Sequence, residues 1–173
     1  MTERKIQDTL FPWLAYERSY KLCIPNYTPH RWHECDVFAV TKADMGVEFE
    51  IKISRSDFKA DASKVEKHRK LFAGDEHGPS RFFYVVPEGL IAVEEAPDYA
   101  GLLYIVESQR VHTTVAPRLY VREVKKAPKL HRHYVPQRVT DHAKGVFYWR
   151  FWNLRRGLPE SADNVRTNET APE

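Results

Sequence analysis

The segment from Val47 to Ile53 constrains the fold more than any other part of the chain. Apolar residues alternate there with charged residues in the order VEFEIKI. Side chains of a β-strand point alternately to opposite faces, so this alternation predicts a strand with an apolar face turned to a core. The opposite face carries two carboxylates and one ammonium group, from Glu48, Glu50 and Lys52.

A second predicted strand, from Trp32 to Val40, comes shortly before this one. The intervening residues 42–46 have the composition of a turn, and two strands joined by a short turn pair antiparallel. On the first strand Asp36 shares a face with Trp32, Glu34 and Phe38. The pairing therefore predicts that Asp36 lies close to Glu50 and Lys52.

These three side chains are suited to phosphodiester hydrolysis. Mg²⁺ takes oxygen ligands, usually one or two carboxylates with water and phosphate. Asp36 and Glu50 supply such a pair, with the backbone carbonyl of Ile51 as a third ligand, and Mn²⁺ fits the same donors. Lys52 would orient or deprotonate the attacking water and counter the negative charge of the transition state. An exposed strand face with a Glu–Lys pair is the alternative interpretation.

The remaining patterns complete an α/β domain with a mixed sheet flanked by helices. A first helix is expected within residues 6–20, with Pro12 in its first turn, and a loop at residues 25–30. A second helix is expected over residues 56–72, with Phe58, Ala62, Val65 and Leu71 facing inward. Further strands are expected at residues 81–86, 102–106 and 112–115, and a final helix within residues 136–156.

Asp36, followed by Glu50-Ile51-Lys52 at the end of an apolar strand, resembles the PD-(D/E)xK superfamily of nucleases. The stretch from Arg31 to Asp61 is similar to the MmcB-like group of DNA-repair-associated proteins, in which the strand ends in EIK and a serine and a D-F-x-x-D helix start follow. The resemblance covers roughly residues 10 to 130. It departs from the superfamily motif at Cys35, where proline is common.

The resemblance implies a restriction-endonuclease-like fold and a Mg²⁺- or Mn²⁺-dependent DNA endonuclease or exonuclease. Repair, recombination and phage DNA processing are the expected settings. It also implies auxiliary site residues in the first helix and after the motif strand, namely Glu17 and Ser54. Glu48 is a further candidate, because it shares the face of the metal ligands and could serve a second cation. For Glu17 and Glu48 the alternative is a solvated position, and for Ser54 it is a helix cap.

Positive charge is concentrated in the last third of the chain. Residues 118–156 contain eleven Lys or Arg and two acidic residues, a net charge of +9, which leaves −6 for the rest of a chain whose formal charge is +3. A polyanion such as DNA suits this distribution, although a solvated basic face remains an alternative. The candidate DNA contacts are Lys64, His68, Lys125, Lys126, Arg155 and Arg156.

The final predicted helix is also strongly aromatic, with FYWRFW at residues 147–152. Such side chains stack on unpaired bases, or they pack on the sheet or on a second subunit. A homodimer formed through this helix, an assembly protein, and a DNA-binding module without turnover are the rival functions. A protein partner that supplies targeting also remains open.

Composition and length set the remaining limits. The 173 residues suffice for one well-packed core, which we place at 1–135, followed by a C-terminal helix at 136–157, packed on the core or on a partner, and a flexible tail at 158–173. Two cysteines make neither a disulfide framework nor a four-ligand zinc site. No apolar run reaches the roughly 20 residues of a membrane span, and we expect a cytoplasmic protein.

Overall fold

The computed structural model describes residues 1–108 and 118–159. Four α-helices and six strands occur in these ranges. The strands are β1 (Leu22–Tyr27), β2 (Cys35–Val40), β3 (Gly46–Ile51), β4 (Arg81–Pro87), β5 (Ala100–Glu107) and β6 (Leu119–Lys125). The helices are α1 (Glu3–Pro12), which continues into a π-helical turn (Trp13–Glu17), α2 (Arg55–Asp61), α3 (Val65–Ala73) and α4 (Gln137–Arg155), with a short 3₁₀ turn at Val93–Glu95.

All six strands form one mixed sheet in the order β1-β2-β3-β4-β5-β6. The β3–β4 and β4–β5 pairs are parallel, while the other three pairs are antiparallel. The predicted α/β architecture with a mixed sheet flanked by helices is therefore confirmed. The two motif strands pair antiparallel through their short turn, as expected.

Helix α1 covers one face of the sheet. Its buried side chains Ile6 and Leu10 join a core that includes Val37, Phe49 and Val85, from the apolar faces of β2, β3 and β4. Pro12 ends the α-helix instead of starting it, contrary to expectation. Because proline has no N–H to donate, it stands where the backbone changes to the wider π-helical turn.

The opposite face of β3 is also covered, although it carries the charged residues. Every residue of β3 is buried, which excludes the exposed strand face considered as an alternative. The predicted helix over residues 56–72 is two helices, interrupted at residues 62–64. The break changes which side chains face the sheet. Of the four predicted inward residues, Leu71 is buried and Phe58 is partly buried, but Ala62 and Val65 are exposed. The charged residues Asp61 and Lys67 are buried instead.

Neither of the two edge strands, β1 and β6, is predicted from the sequence. Strand β1 occupies part of the expected loop at residues 25–30, and its Pro25 is tolerated because an edge strand has one unpaired side. Strand β6, with the sequence LYVREVK, has no strict alternation of apolar and charged residues, and none of its residues is fully buried. The strand expected at residues 112–115 and most of the expected tail lie outside the described residues.

The chain forms two compact units, residues 1–135 and residues 136–173. The first contains the whole sheet and helices α1 to α3. The described part of the second is α4 with the residues beside it, including the turn at Arg156 and Gly157. No described helix combines the length and the apolar character that a membrane span requires. Exposed large apolar side chains are frequent in the second unit: Phe147, Tyr148, Trp149, Phe151, Trp152, Leu154 and Leu158.

Candidate active site

The β2–β3 pair brings the three motif residues together. Val37 lies opposite Phe49 in this pair, which places Asp36 beside the end of β3. Oδ2 of Asp36 accepts a hydrogen bond of 2.6 Å from the backbone N–H of Ile51. Glu50 and Lys52, the residues on either side of Ile51, form an ion pair, in which Nζ of Lys52 lies 2.8 Å from Oε1 of Glu50.

Glu50 is surrounded by three ammonium groups. Lys52 and Lys64 share its Oε1 at 2.8 Å and 3.0 Å, and Lys67 lies 2.7 Å from its Oε2. Burial alone would raise the pKa of Glu50, but the charges and hydrogen bonds of Lys67 and Lys52 outweigh it and hold the pKa below its usual value. Glu50 is therefore a fixed anion at neutral pH.

Lys52 and Lys67, the two buried lysines, stay positively charged because neighbouring carboxylates outweigh the effect of burial. Burial would lower the pKa of Lys52, but Glu50 and Asp61 raise it above the ordinary value. Burial also opposes the charge on Lys67, and Glu48 and Glu50 raise its pKa. The charged form of Lys52 donates hydrogen bonds but cannot accept a proton. Of its two predicted roles, orientation and charge compensation therefore suit it better than deprotonation of water.

Glu48 anchors Lys67 from the other side. Lys67 lies 2.6 Å from Oε1 of Glu48, and the indole N–H of Trp32 donates to Oε2 at 2.7 Å. The ammonium also lies 5.5 Å from the ring centre of Phe82, a cation–π distance. Glu48 is completely buried, so it serves to hold Lys67 and is not the solvated edge residue considered as an alternative.

Asp61 is a second buried anion, at the end of α2. Its Oδ1 lies 3.3 Å from Lys52 and 2.9 Å from Lys64. Its Oδ2 accepts a 2.7 Å hydrogen bond from the hydroxyl of Tyr84, and His68 lies 3.3 Å from the same atom. Asp61 thus holds Lys52 together with Glu50.

Asp36 differs from the other carboxylates in the charges around it. No ion pair of the described residues includes it, and burial followed by the negative charge of Glu50 raises its pKa to about 7. The carboxylate of Glu3 in α1 contributes to this rise. Asp36 is therefore an acid group that a nearby cation would stabilise in its ionised form.

The donor atoms at this position fit a small divalent cation. Asp36 and Glu50 offer carboxylate oxygens, and the Ile51 carbonyl faces the Asp36 side, because an extended residue presents its N–H and carbonyl in the same direction. No group of three or more His, Cys, Asp or Glu side chains suited to a metal occurs among the described residues. A cation here would rely on two carboxylates, backbone oxygen and water, as Mg²⁺ commonly does.

The other predicted site residues are placed differently. Glu17 is exposed in the π-helical turn, with no described contact to the site. Ser54 caps α2 by accepting from the N–H of Asp57 at 3.1 Å, which confirms the capping alternative.

The predicted DNA contacts fall into two groups, residues that are held by other parts of the protein and residues on the surface. Lys64 and His68 lie within the charged cluster, and His68 is bound to Asp61 and Tyr99. The ammonium of Lys125 donates to the carbonyls of Ala96 and Pro97 at 2.7 Å and 3.0 Å, so it is held by the protein itself.

The remaining predicted contacts are on the surface. Lys126 is exposed in the first unit, and Arg155 and Arg156 are exposed in the second. The guanidinium of Arg155 lies 6.0 Å from the ring centre of Phe151. Their contact with DNA remains a prediction.

Lys67, Asp61 and Tyr84 are the site residues that the sequence interpretation missed. One signal was available: Glu48, Glu50 and Lys52 leave an excess negative charge on a strand face. If that face is buried, a second cation must compensate it. Lys67 precedes the inward-facing Leu71 by four residues, so it lies on the same face of α3.

A cleft of about 570 Å³ adjoins the cluster. Its walls include His33 and Glu34, which precede β2, and Lys64 and Lys67 from the start of α3. The side chain of Lys64 is half-exposed, so it belongs both to the buried cluster, through its ammonium, and to the wall of the cleft.

Comparison with known proteins identifies a similar fold. No family model matches this chain, and no curated protein matches it. A solved structure, a protein of unknown function from Silicibacter pomeroyi, is similar, with a TM-score of 0.64 and 20% sequence identity. The match covers 91% of this chain and 94% of the other. At this level of identity the similarity concerns the fold alone.

Proposed function

We propose that this protein is a metal-dependent deoxyribonuclease of the PD-(D/E)xK superfamily, related to the MmcB-like group. Its mixed sheet would be the restriction-endonuclease-like core, and its reaction would be hydrolysis of DNA phosphodiester bonds, by endonuclease or exonuclease action. Repair, recombination or phage DNA processing would be the setting. Mg²⁺ or Mn²⁺ would be the cofactor.

One observation carries the proposal. Asp36 is hydrogen-bonded to the backbone of Ile51 at 2.6 Å, between Glu50 and Lys52, which are themselves joined at 2.8 Å. Asp36 thus meets residues fourteen to sixteen positions further along the chain, and the three side chains together supply two carboxylates and one ammonium group. The cluster is also adjacent to a cleft with lysine side chains in its wall.

Each residue has a distinct role in this proposal. Asp36, Glu50 and the Ile51 carbonyl would hold the cation, which polarises the scissile phosphate and lowers the pKa of a bound water. Lys52 would donate a hydrogen bond to the attacked group and compensate its growing negative charge. Asp61 would position Lys52, and Lys67 with Glu48 would keep Glu50 fixed and ionised.

Incubation with DNA tests the proposal directly. Purified protein is mixed with supercoiled, linear and single-stranded DNA in the presence of Mg²⁺, of Mn²⁺, or of a chelator. We expect cleavage with either metal and none with the chelator. Glu50→Gln should lose both cleavage and metal binding, and Lys59→Gln, an exposed change on α2, should retain both. Cleavage that persists in chelator would exclude the metal-dependent mechanism.

A DNA-binding module without turnover is the second candidate. It is favoured by the complete pairing of Glu50, whose two oxygens already face three ammonium groups. In that case the cluster would be a structural ion network, and the protein would bind DNA without binding metal. Calorimetric titration with Mn²⁺ separates the candidates, because a nuclease must bind the ion before it can act.

A further inference from the structure

The three lysines around Glu50 differ in their access to solvent. The side chains of Lys52 and Lys67 are 6% and 2% exposed, whereas that of Lys64 is 50% exposed. Lys52 and Lys67 are enclosed by protein and compensate permanent charges. Lys64 reaches the same Glu50 oxygen as Lys52 from the protein surface, so it is the one of the three that can leave without opening the core.

The backbone position of Lys64 also permits this movement. Lys64 lies at the interruption between α2 and α3, with φ −76° and ψ 56°, outside both helices. It is the residue before the first turn of α3 and makes no side-chain cap there. Among the described residues its ammonium pairs with two carboxylates, of Glu50 at 3.0 Å and of Asp61 at 2.9 Å. Both are contacts to carboxylates that Lys52 also neutralises.

The charges around Asp36 and Glu50 indicate which lysine contact of Glu50 a divalent cation would replace. Asp36 has no ammonium partner among the described residues, and it lies on the same side of the cluster as Glu50. A divalent cation bound by both carboxylates would need an oxygen of Glu50. Oε2 faces the enclosed Lys67, whereas Oε1 faces both the enclosed Lys52 and the half-exposed Lys64. Oε1 is therefore the oxygen at which a contact can be given up from the surface.

We infer that Lys64 is an exchangeable counter-ion, which occupies Glu50 Oε1 in the metal-free protein and yields it to the divalent cation. This inference rests on the proposed function. Once released, the ammonium lies in the adjoining cleft, whose wall it already forms, and binds a phosphate group of the DNA. Metal binding thereby turns an internal ion pair into a substrate contact. A divalent cation beside Oε1, which Lys52 keeps, adds repulsion among the cations there, and the half-exposed Lys64 can relieve it by leaving.

The inference predicts opposite effects of one substitution on two ligands. Lys64→Gln removes the competing ammonium, so Mn²⁺ should bind more tightly than to the wild type, on the order of tenfold, within the usual range for coupled binding events. DNA should bind more weakly in Ca²⁺, which we use in place of Mg²⁺ to limit cleavage. The matched control is Lys59→Gln, which removes an exposed lysine from α2 and should change neither affinity.

Calorimetry with Mn²⁺ and fluorescence anisotropy with a labelled duplex measure the two affinities. A Kd for Mn²⁺ in Lys64→Gln equal to or weaker than that of the wild type overturns the exchange. If the wild type binds Mn²⁺ and Lys64→Gln binds it equally, the proposed function stands and only the exchange is wrong. If neither protein binds Mn²⁺, the proposed metal-dependent function fails as well.

The wild-type protein offers a second test that does not depend on the variant. Lysine side-chain NMR signals are followed while Mg²⁺ is added. We expect the Lys64 signal to move towards the position of a solvent-exposed lysine, while the Lys67 signal keeps that of a buried ion pair. A Lys64 signal that is unchanged at saturating Mg²⁺ contradicts the exchange.

Discussion

The ammonium of Lys67 lies 2.7 Å from Oε2 of Glu50, and both side chains are almost completely buried. A second carboxylate, Glu48, lies 2.6 Å from the same ammonium. This arrangement places two anions and one cation between α3 and the sheet. Buried charges of this kind are costly unless each has its partners, so loss of one member should disturb both stability and the candidate site.

We expect Lys67→Met to destabilise the fold by about 3–5 kcal/mol, since it leaves two buried carboxylates without their shared counter-ion. Urea unfolding measures the effect. Lys70→Met is the control, because Lys70 forms an i,i+4 pair with the exposed Glu66 on the same helix and should cost less than about 1 kcal/mol. Adding Glu48→Gln to Lys67→Met should recover part of the loss. Equal stabilities of the two lysine variants would show that the buried pairing contributes little.

Lys52→Ala should reduce DNA cleavage by roughly 10²- to 10³-fold, the usual effect of removing one group that stabilises charge in a transition state. The Kd for Mn²⁺ should change much less, because the ligands Asp36 and Glu50 remain. Cleavage rates on plasmid DNA and calorimetry give the two values. An unchanged cleavage rate in Lys52→Ala would remove the lysine from the mechanism.

The raised pKa of Asp36 predicts how stability depends on pH in chelator. The pKa is about 7 in the folded protein, against an ordinary value of 3.8. Between these values the folded state binds more protons than the unfolded state, so stability falls as pH rises, by up to about 1.4 kcal/mol per pH unit. The contribution is fully present below about pH 4 and is lost above about pH 7.

Asp36→Asn stays neutral and should not show this fall. Urea unfolding at pH 5, 6, 7 and 8 should therefore give a stability advantage of Asp36→Asn over the wild type that grows with pH. Asp8→Asn, on an exposed position of α1, is the control and should follow the wild type. A constant difference between Asp36→Asn and the wild type over this range would contradict the raised pKa.

The exposed aromatic side chains of α4 lead to a prediction about association. Trp149 and Trp152 are 49% and 42% exposed, and exposed apolar surface of this extent favours contact with another molecule. We expect the wild type to self-associate, and Trp149→Ser/Trp152→Ser to shift it towards the monomer in light scattering after gel filtration. Tyr134→Ser, at a residue 70% exposed in the first unit, is the control. A loss of single-stranded DNA binding at unchanged mass would assign these residues to base stacking instead.

The parts of the fold that the sequence predicted share one property, a local pattern strong enough to identify both element and face. The alternation from Val47 to Ile53 predicted the strand that the structure shows as β3 (Gly46–Ile51), and the short turn before it predicted the antiparallel pairing with β2. Edge strands gave no such pattern: Pro25 lies within β1, and β6 is half charged. Both depend on a neighbouring strand that the local sequence does not specify.

The interruption at residues 62–64 had the largest consequence for the site. The prediction of one continuous helix placed Val65 inward, but Val65 is 69% exposed and Lys67 is buried. Helical periodicity predicts a face only while the helix is unbroken. A three-residue change of backbone direction therefore changed which residues of α3 reach the sheet.

The sequence by itself determined that Asp36, Glu50 and Lys52 share one face of two paired strands, because strand alternation and a short turn leave little freedom in their placement. The tertiary structure alone decided what surrounds them. Asp61 and Lys67 come from the helices α2 and α3, Lys64 comes from the residues between these helices, and Lys67 and Asp61 help to keep Glu50 and Lys52 charged. The reason is physical. Strand geometry acts over neighbouring residues, whereas the pKa and the hydrogen-bond partners of a buried group depend on whatever chain segment replaces its water.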